Sequence, residues 1–176
     1  KKAVYQRNNL FKYFAENRLW DPSLIEPWDA RITPNAVFIA RSRKEFIKDF
    51  LPVFIKVYNE ICGGEEEVSL EYISNVSNNE DEFMELLKTS QEDDRRLRRM
   101  TCGVHKDDLA FKIGGYPLRK FGSQGQQKTF LVALKLAQLM FLEKVTGVKP
   151  ILLLDDIFDK IDDKRVRSLM KRVTDG

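Results

Sequence analysis

The sequence predicts a mixed α/β fold, α+β overall, with a helical arm lobe joined to a lobe built on a parallel-sheet core. Three observations predict it. The first 62 residues repeat apolar side chains at helical spacing and carry no strand pattern. Val68, Leu70 and Tyr72, and then Leu109, Phe111 and Ile113, alternate with polar neighbours as half-buried strands do. Ile151-Leu152-Leu153-Leu154 is a continuous aliphatic run closed by Asp155-Asp156, the pattern of a strand buried on both faces in a parallel sheet. The composition changes at Gly63, so the lobes are expected over 1–62 and 63–176.

Each element has a local reason. Tyr5, Leu10, Phe11 and Phe14 fall near one face of a first helix. Asp21-Pro22 is a helix start, an acceptor at the N-cap followed by a proline whose missing N–H is not needed there. A short helix through Leu24, Ile25 and Trp28 is expected to break at Pro34. A long helix should follow, with Val37, Phe46, Ile47, Phe50, Leu51, Phe54, Ile55 and Tyr58 as its stripe, a kink at Pro52 and an end at Gly63-Gly64. After the first strand and an Asn78-Asn79 turn, residues 80–99 read as one helix with Phe83, Leu86, Leu87 and Leu97 inward. Its acidic start and its Arg95, Arg96, Arg98, Arg99 end suit the helix dipole. Gly114-Gly115 turns the second strand into a hairpin whose partner covers 116–120. The polar stretch from Phe121 to Thr129 opens a strongly apolar helix that ends at Gly147. Asp162 can N-cap a final helix from Asp163.

Composition removes several classes of function. With 43% hydrophobic residues and twelve Phe in 176 positions, the chain has a core and is not disordered. Thirty basic residues against 27 acidic exclude a polybasic tail protein. The nearly apolar run Phe130 to Leu142 contains Lys135 and is too short to span a bilayer. Cys62 and Cys102 are too few for a disulfide scaffold and suit a reducing compartment. A single His105 excludes a His-rich metal site. The opening Lys-Lys-Ala-Val-Tyr reads as a helix interior without a secretory leader, so a piece of a longer protein is expected. Charge is uneven: 11 basic against 7 acidic residues over 1–62, 5 against 11 over 63–100, and 14 against 9 over 101–176. The two basic blocks fit either a phosphate-binding surface or solvated helix faces.

Two motifs carry chemistry. An aliphatic strand ending in Asp155-Asp156 delivers two carboxylates to the carboxyl edge of a sheet. There one can serve Mg²⁺, usually through water, and the other can orient an attacking water. Ser123-Gln124-Gly125-Gln126-Gln127 places an N-cap, a glycine and free amides at a helix start, which suits an anion. Alone, the first is also any acidic turn and the second any capped helix. Ser123 and Asp155 stand 32 positions apart, joined by one buried helix, and that pairing is far more specific than either motif.

These residues resemble the central and C-terminal part of the RecF family, bacterial recombination-repair proteins of the ABC-type ATPase superfamily that includes SMC proteins. The resemblance covers nearly the whole chain. It includes Gln6-Arg7-Asn8, the Trp28-Asp29 pair, and Gly103-Val104-His105-Lys106-Asp107-Asp108-Leu109, similar to the family's Gly-Pro-His-Arg-Asp-Asp-Leu. It also includes the 123–127 stretch and Leu154-Asp155-Asp156-Ile157-Phe158-Asp159-Lys160-Ile161-Asp162. It implies the C-terminal half of an ABC-type ATPase head with a helical arm. Ser123, Gln124, Gly125, Gln126 and Gln127 look like the ABC signature motif, and 151–156 like Walker B, with Asp155 serving Mg²⁺ and Asp156 in the catalytic position. Asp159, Lys160 and Asp162 look like the D-loop at a dimer interface. Gln124 stands where the general signature has glycine, a change RecF proteins share. Lys106 keeps the family's charge without its guanidinium fork. His105 could meet a partner or a phosphate, or be a structural histidine at a strand end.

By the same resemblance, the whole protein is expected to be a cytoplasmic, nucleoid-associated DNA repair ATPase with no membrane attachment. It would bind ATP and Mg²⁺, close as a homodimer on double-stranded or gapped DNA, hydrolyse ATP slowly, and work with the RecR and RecO mediators in loading RecA. No Gly-x-x-x-x-Gly-Lys-Ser/Thr occurs in these 176 residues, so they alone are expected to be inactive toward ATP. Three other readings stay open: the head of another SMC-like ATPase, a non-catalytic helical interaction module, and an unrelated α/β enzyme with an acidic metal site.

Overall fold

The structure, a computed structural model, describes residues 1–64 and 66–151. The predicted strand over 151–156 (apart from Ile151), the final helix, and Asp155, Asp156, Asp159, Lys160 and Asp162 lie outside the described residues.

In chain order the elements are α1 (Lys2–Asn17), a 3-10 turn (Pro22–Leu24), α2 (Glu26–Cys62), β1 (Val68–Ile73), α3 (Glu80–Thr89), α4 (Gln91–Leu97), β2 (Asp108–Ile113), β3 (Tyr116–Pro117), α5 (Leu118–Phe121) and α6 (Gln124–Thr146). The mixed α/β class is as predicted. The described strands form one sheet in the order β1-β2-β3. Two compact units interleave in sequence among the described residues: 1–45 with 72–108, and 46–71 with 109–151. Helix α2 and strand β1 each run from one unit into the other.

The first unit packs α1, the first half of α2, α3 and α4 around two apolar clusters. Phe11, Phe14 and Ile25 form one; Ile32, Val37, Phe83, Leu87 and Met100 are central to the other. The same unit holds a buried polar centre. Arg7 donates through Nε to Asp29 at 2.5 Å and through Nη1 to Asp94. Asp94 also accepts from the Thr101 amide and hydroxyl, at 2.7 and 2.6 Å. Burial works against the Arg7 charge, but the bonds to the two carboxylates outweigh it and hold its pKa above the ordinary value. Burial pushes the Asp29 carboxyl up although Arg7 pulls it down, as expected where two acids share one cation. Next to Arg7, Asn8 accepts from the Met100 amide at 2.7 Å. So three of the residues carrying the N-terminal resemblance, Arg7, Asn8 and Asp29, are internal ties of this unit.

In the second unit, the latter half of α2 (Phe50, Phe54, Val57, Tyr58, Ile61) packs with Val68 and Leu70 of β1 and with Phe130, Val132, Ala133, Leu136 and Ala137 of α6. Phe130 is the aromatic hub, with ring centroids 4.7 Å from Phe54, 5.5 Å from Phe111 and 5.9 Å from Tyr58.

Three local expectations are corrected. Pro34 does not break a helix: α2 is one 37-residue element through Pro27, Pro34 and Pro52. The amide that Pro34 lacks costs one bond. Side chains on either side add others, from Thr33 Oγ1 to the Asp29 carbonyl and from Asn35 Nδ2 to that of Arg31, both 2.9 Å. Ile32, Ala36, Val37 and Ala40 bury the face that holds the helix in place. Residues 80–99 are two helices, not one. Asn79 caps α3 by accepting from the amides of Asp81 and Glu82, at 2.8 and 3.4 Å, and the chain restarts as α4 after Ser90. In α4, Asp94 is fully buried among otherwise outward charges, and its bond to Arg7 fixes that register. The hairpin is as expected at its turn, with Ile113 opposite Tyr116 and Gly114 and Gly115 at φ 54° and 79°, a left-handed pair that disfavours other residues. Its returning strand is only two residues long, because Leu118 turns into the core and starts α5.

Candidate functional site

The start of α6 lies in the second unit, and its geometry follows from the residues just before it. Leu118 to Phe121 make one helical turn that closes when the Gly122 amide donates to the Leu118 carbonyl at 2.9 Å. A Cβ at Gly122 would meet that carbonyl oxygen at 2.7 Å and Leu118 Cδ1 at 2.8 Å, so only glycine fits. The chain then extends through Ser123 (φ −60°, ψ 162°) and enters α6.

Ser123 closes a reciprocal capping box. Its Oγ accepts from the Gln126 amide at 3.2 Å, and the Gln126 side-chain oxygen accepts from the Ser123 amide at 2.8 Å. The Gln127 amide donates to the Ser123 carbonyl at 2.9 Å, and Gln127 Nε2 returns to the Gly122 carbonyl at 2.8 Å. The amides of Gln124 and Gly125 begin the helix, where no preceding turn supplies a carbonyl. Ser123, Gln124 and Gln127 are exposed, while Gly125 and Gln126 are half-buried. The five residues singled out in the sequence therefore share one exposed helical turn.

Two residues outside the motif fix it. Glu66 accepts from Gln126 Nε2 at 2.9 Å and, through its other oxygen, from the Tyr58 hydroxyl at 2.5 Å. Burial, then the bond to Glu66, push the Tyr58 phenol far above its ordinary range, so it stays a donor. Sequence reading missed Tyr58, Glu66 and Gly122. Tyr58 looked like one more member of an apolar stripe, and Glu66 like part of an acidic run. Beside the motif opens a cleft of about 330 Å³ bordered by Glu66, Glu67, Gly114, Tyr116, Phe121 and Gln126.

The 103–109 motif lies apart in sequence and forms a tight turn. The Lys106 amide donates to the Gly103 carbonyl at 2.8 Å. Gly103 has φ 110°, and a Cβ there would stand 3.1 Å from Met100 Cε. Asp107 accepts from Arg43 Nη1 at 2.5 Å and from the Tyr72 hydroxyl. Its Oδ1 is buried without a hydrogen-bond partner among the described residues. Burial, with Lys106 adding to it, holds the His105 imidazole below its ordinary pKa, while the nearby Met100 carbonyl, Asp107 and Asp94 oppose that shift.

Among the described residues no cluster of three His, Cys, Asp or Glu side chains could hold a metal, and no helix is long and apolar enough to cross a membrane. The Asp155-Asp156 half of the pairing expected from the sequence lies outside the described residues.

No family model matches the chain. Known proteins do. The chain is 46% identical over 172 residues to the DNA replication and repair protein RecF of Flavobacterium johnsoniae, covering 98% of this chain and 47% of that protein. It is 45% identical over 175 residues to the protein of the same description from Parabacteroides distasonis, covering 99% and 46%. The fold is similar to a solved structure of the recombination mediator protein RecF-ATP in the RecFOR pathway, with a TM-score of 0.84 and 28% identity over 97% of this chain and 47% of that one. A RecF-ATPrS structure from the same pathway gives a TM-score of 0.81 at 30% identity. The chain thus spans about half the length of the relatives it matches. Over nearly all of its own length it is homologous to RecF proteins, and the part it matches is their C-terminal part.

Proposed function

We propose that this chain is the signature-bearing part of a RecF-type DNA repair ATPase, and that the α6 start faces the nucleotide held by a second copy. The observation that carries the proposal is the exposed capping-box turn at Ser123, on a chain that matches proteins named for DNA replication and repair and a structure named for RecF with ATP. ATP fits the residues present. The amides of Gln124 and Gly125 and the positive helix end suit phosphate oxygens, and the exposed side chains of Ser123 and Gln127 flank them. Bound ATP supplies a reactive phosphoanhydride. The chain's own residues bind its γ-phosphate charge and orient it, so self-association follows nucleotide state.

The other roles follow the resemblance. Asp155 serves Mg²⁺ and Asp156 orients water, while Asp159, Lys160 and Asp162 meet the second copy. The whole protein closes on double-stranded or gapped DNA and works with RecR and RecO in the cytoplasm. The alternative, a helical interaction module without chemistry, leaves Ser123 as a cap and nothing more.

The test is Ser123→Arg in the intact protein, followed by analytical ultracentrifugation with and without ATP. The expected result is near-normal ATP binding by the monomer with loss of ATP-dependent dimers. Normal ATP-dependent dimers at the same protein concentration would remove the signature role and leave only the cap.

A further inference from the structure

The cleft beside α6 has a chemistry of its own. Tyr116 and Phe121 stand on its rim, 63% and 57% exposed, with ring centroids 5.4 Å apart. Tyrosine and phenylalanine are large apolar surfaces that a folded chain ordinarily covers. Here the hairpin turn and α5 hold both rings outward over a concave surface. Glu66 and Glu67 border the same cleft. Gly114 borders it as well, and a Cβ there would meet nothing within 4 Å, so the floor at that edge is open.

This combination selects a ligand. Two carboxylates repel phosphate, so the cleft itself does not take a phosphate group. They accept hydrogen bonds from hydroxyl and amino groups. The exposed aromatic faces offer stacking to a planar ring, which is worth enough to retain a base without reading its edges. The volume, about 330 Å³, lies at the small end of ordinary ligand clefts. A planar heterocycle carrying hydroxyl and amino donors is a nucleoside. The neighbouring chemistry is the opposite: the α6 start is an electropositive helix end, and Lys120 holds its ammonium 5.2 Å from the Phe121 ring. The acidic, aromatic cleft and the electropositive helix end meet at Gln126, which borders the cleft and closes the capping box.

We infer that this cleft receives the base and ribose of the nucleotide whose phosphates lie at the start of α6. The base stacks on the face of one ring and meets the other at an angle, because Tyr116 and Phe121 stand 57° apart, and the ribose hydroxyls donate to Glu66 or Glu67. The inference rests on the proposed role of α6, and it adds that this chain reads the nucleoside as well as the phosphates. The cleft then makes self-association respond to ATP more strongly than to an equally charged polyphosphate without a base.

The experiment uses the intact protein and measures Mg²⁺-dependent self-association against ATP and, separately, against inorganic tripolyphosphate. Tyr116→Ala/Phe121→Ala should raise the half-saturating ATP concentration by about tenfold and leave the tripolyphosphate response unchanged. Phe121→Trp keeps an aromatic face and should retain the wild-type ATP response. Both rings are largely exposed, so thermal unfolding of the variants should match the parent. An unchanged ATP response in the double alanine variant overturns the inference. If Ser123→Arg abolishes association while that variant behaves as wild type, only the nucleoside cleft fails and the role of α6 stands. An equal loss toward ATP and tripolyphosphate also overturns the inference, because it places the rings in the protein contact and not on the base.

Discussion

Arg7 Nε donates to Asp29 Oδ1 at 2.5 Å, with the two side chains 0% and 3% exposed. The pair joins α1 to α2, and Asp94 on α4 completes it from the opposite end of the first unit's sequence. Two acids share one cation in the interior, and Thr101 donates twice to Asp94.

Arg7→Met should therefore destabilise the first unit by roughly 3–5 kcal/mol, since it strands two buried carboxylates. Urea unfolding followed by circular dichroism measures this as a lower midpoint. Arg7→Lys retains the charge without the fork and should fall between the two. A loss below about 1 kcal/mol would show that water reaches Asp29 and Asp94.

Pro34 is exposed in the interior of α2. Pro34→Ala restores an amide for the Ala30 carbonyl and removes the ring clash. Part of that gain is lost to the greater freedom of the unfolded chain. A net stabilisation of roughly 1–2 kcal/mol is expected, read as a higher thermal midpoint. Destabilisation would mean that the proline ring itself packs usefully.

Gly122→Ala should cost roughly 1–3 kcal/mol, because the added Cβ meets a backbone oxygen that cannot rotate away. It should also shift Ser123 and weaken ATP-dependent association of the intact protein. The contrast is Gly64→Ala, where a Cβ meets nothing within 4 Å and only the φ of 77° is strained. Equal losses at the two positions would mean that backbone strain, and not the close approach, is what Gly122 avoids.

His105 gives a pH dependence of definite sign. Its folded-state pKa lies below the ordinary value, so the folded protein favours the neutral ring. That preference supports stability above about pH 6.5 and is lost as pH falls through the folded value. Wild type should lose more stability than His105→Gln between pH 8 and pH 5. Parallel losses in urea midpoints across that range would show that the ring titrates freely.

Much of the fold was legible because it is local. The Ser123 cap, the Asp21-Pro22 start, the Gly114-Gly115 turn and the Gly147 end each follow from the conformational preferences of one or two residues. The alternation of Val68 and Leu70 gave β1 its buried face. Even the buried Arg7 and Asp29, and the half-buried Asn8, stood out as residues, through their likeness to a family.

What the tertiary structure decided is what local preference opposes or leaves open. Pro34 reads as a helix end, yet the buried face of Ile32, Ala36, Val37 and Ala40 outweighs one missing bond. Residues 80–99 read as one amphipathic helix, yet Asp94 is drawn inward to Arg7, 87 positions away, and the helix restarts to allow it. Glu66 reads only as one acidic residue of the 63–100 block, yet Tyr58 and Gln126 converge on it and fix the first turn of α6. In each case the deciding partner is distant in sequence. A window of neighbouring residues carries the propensity of a segment but not the burial or the charge that the rest of the chain brings to it.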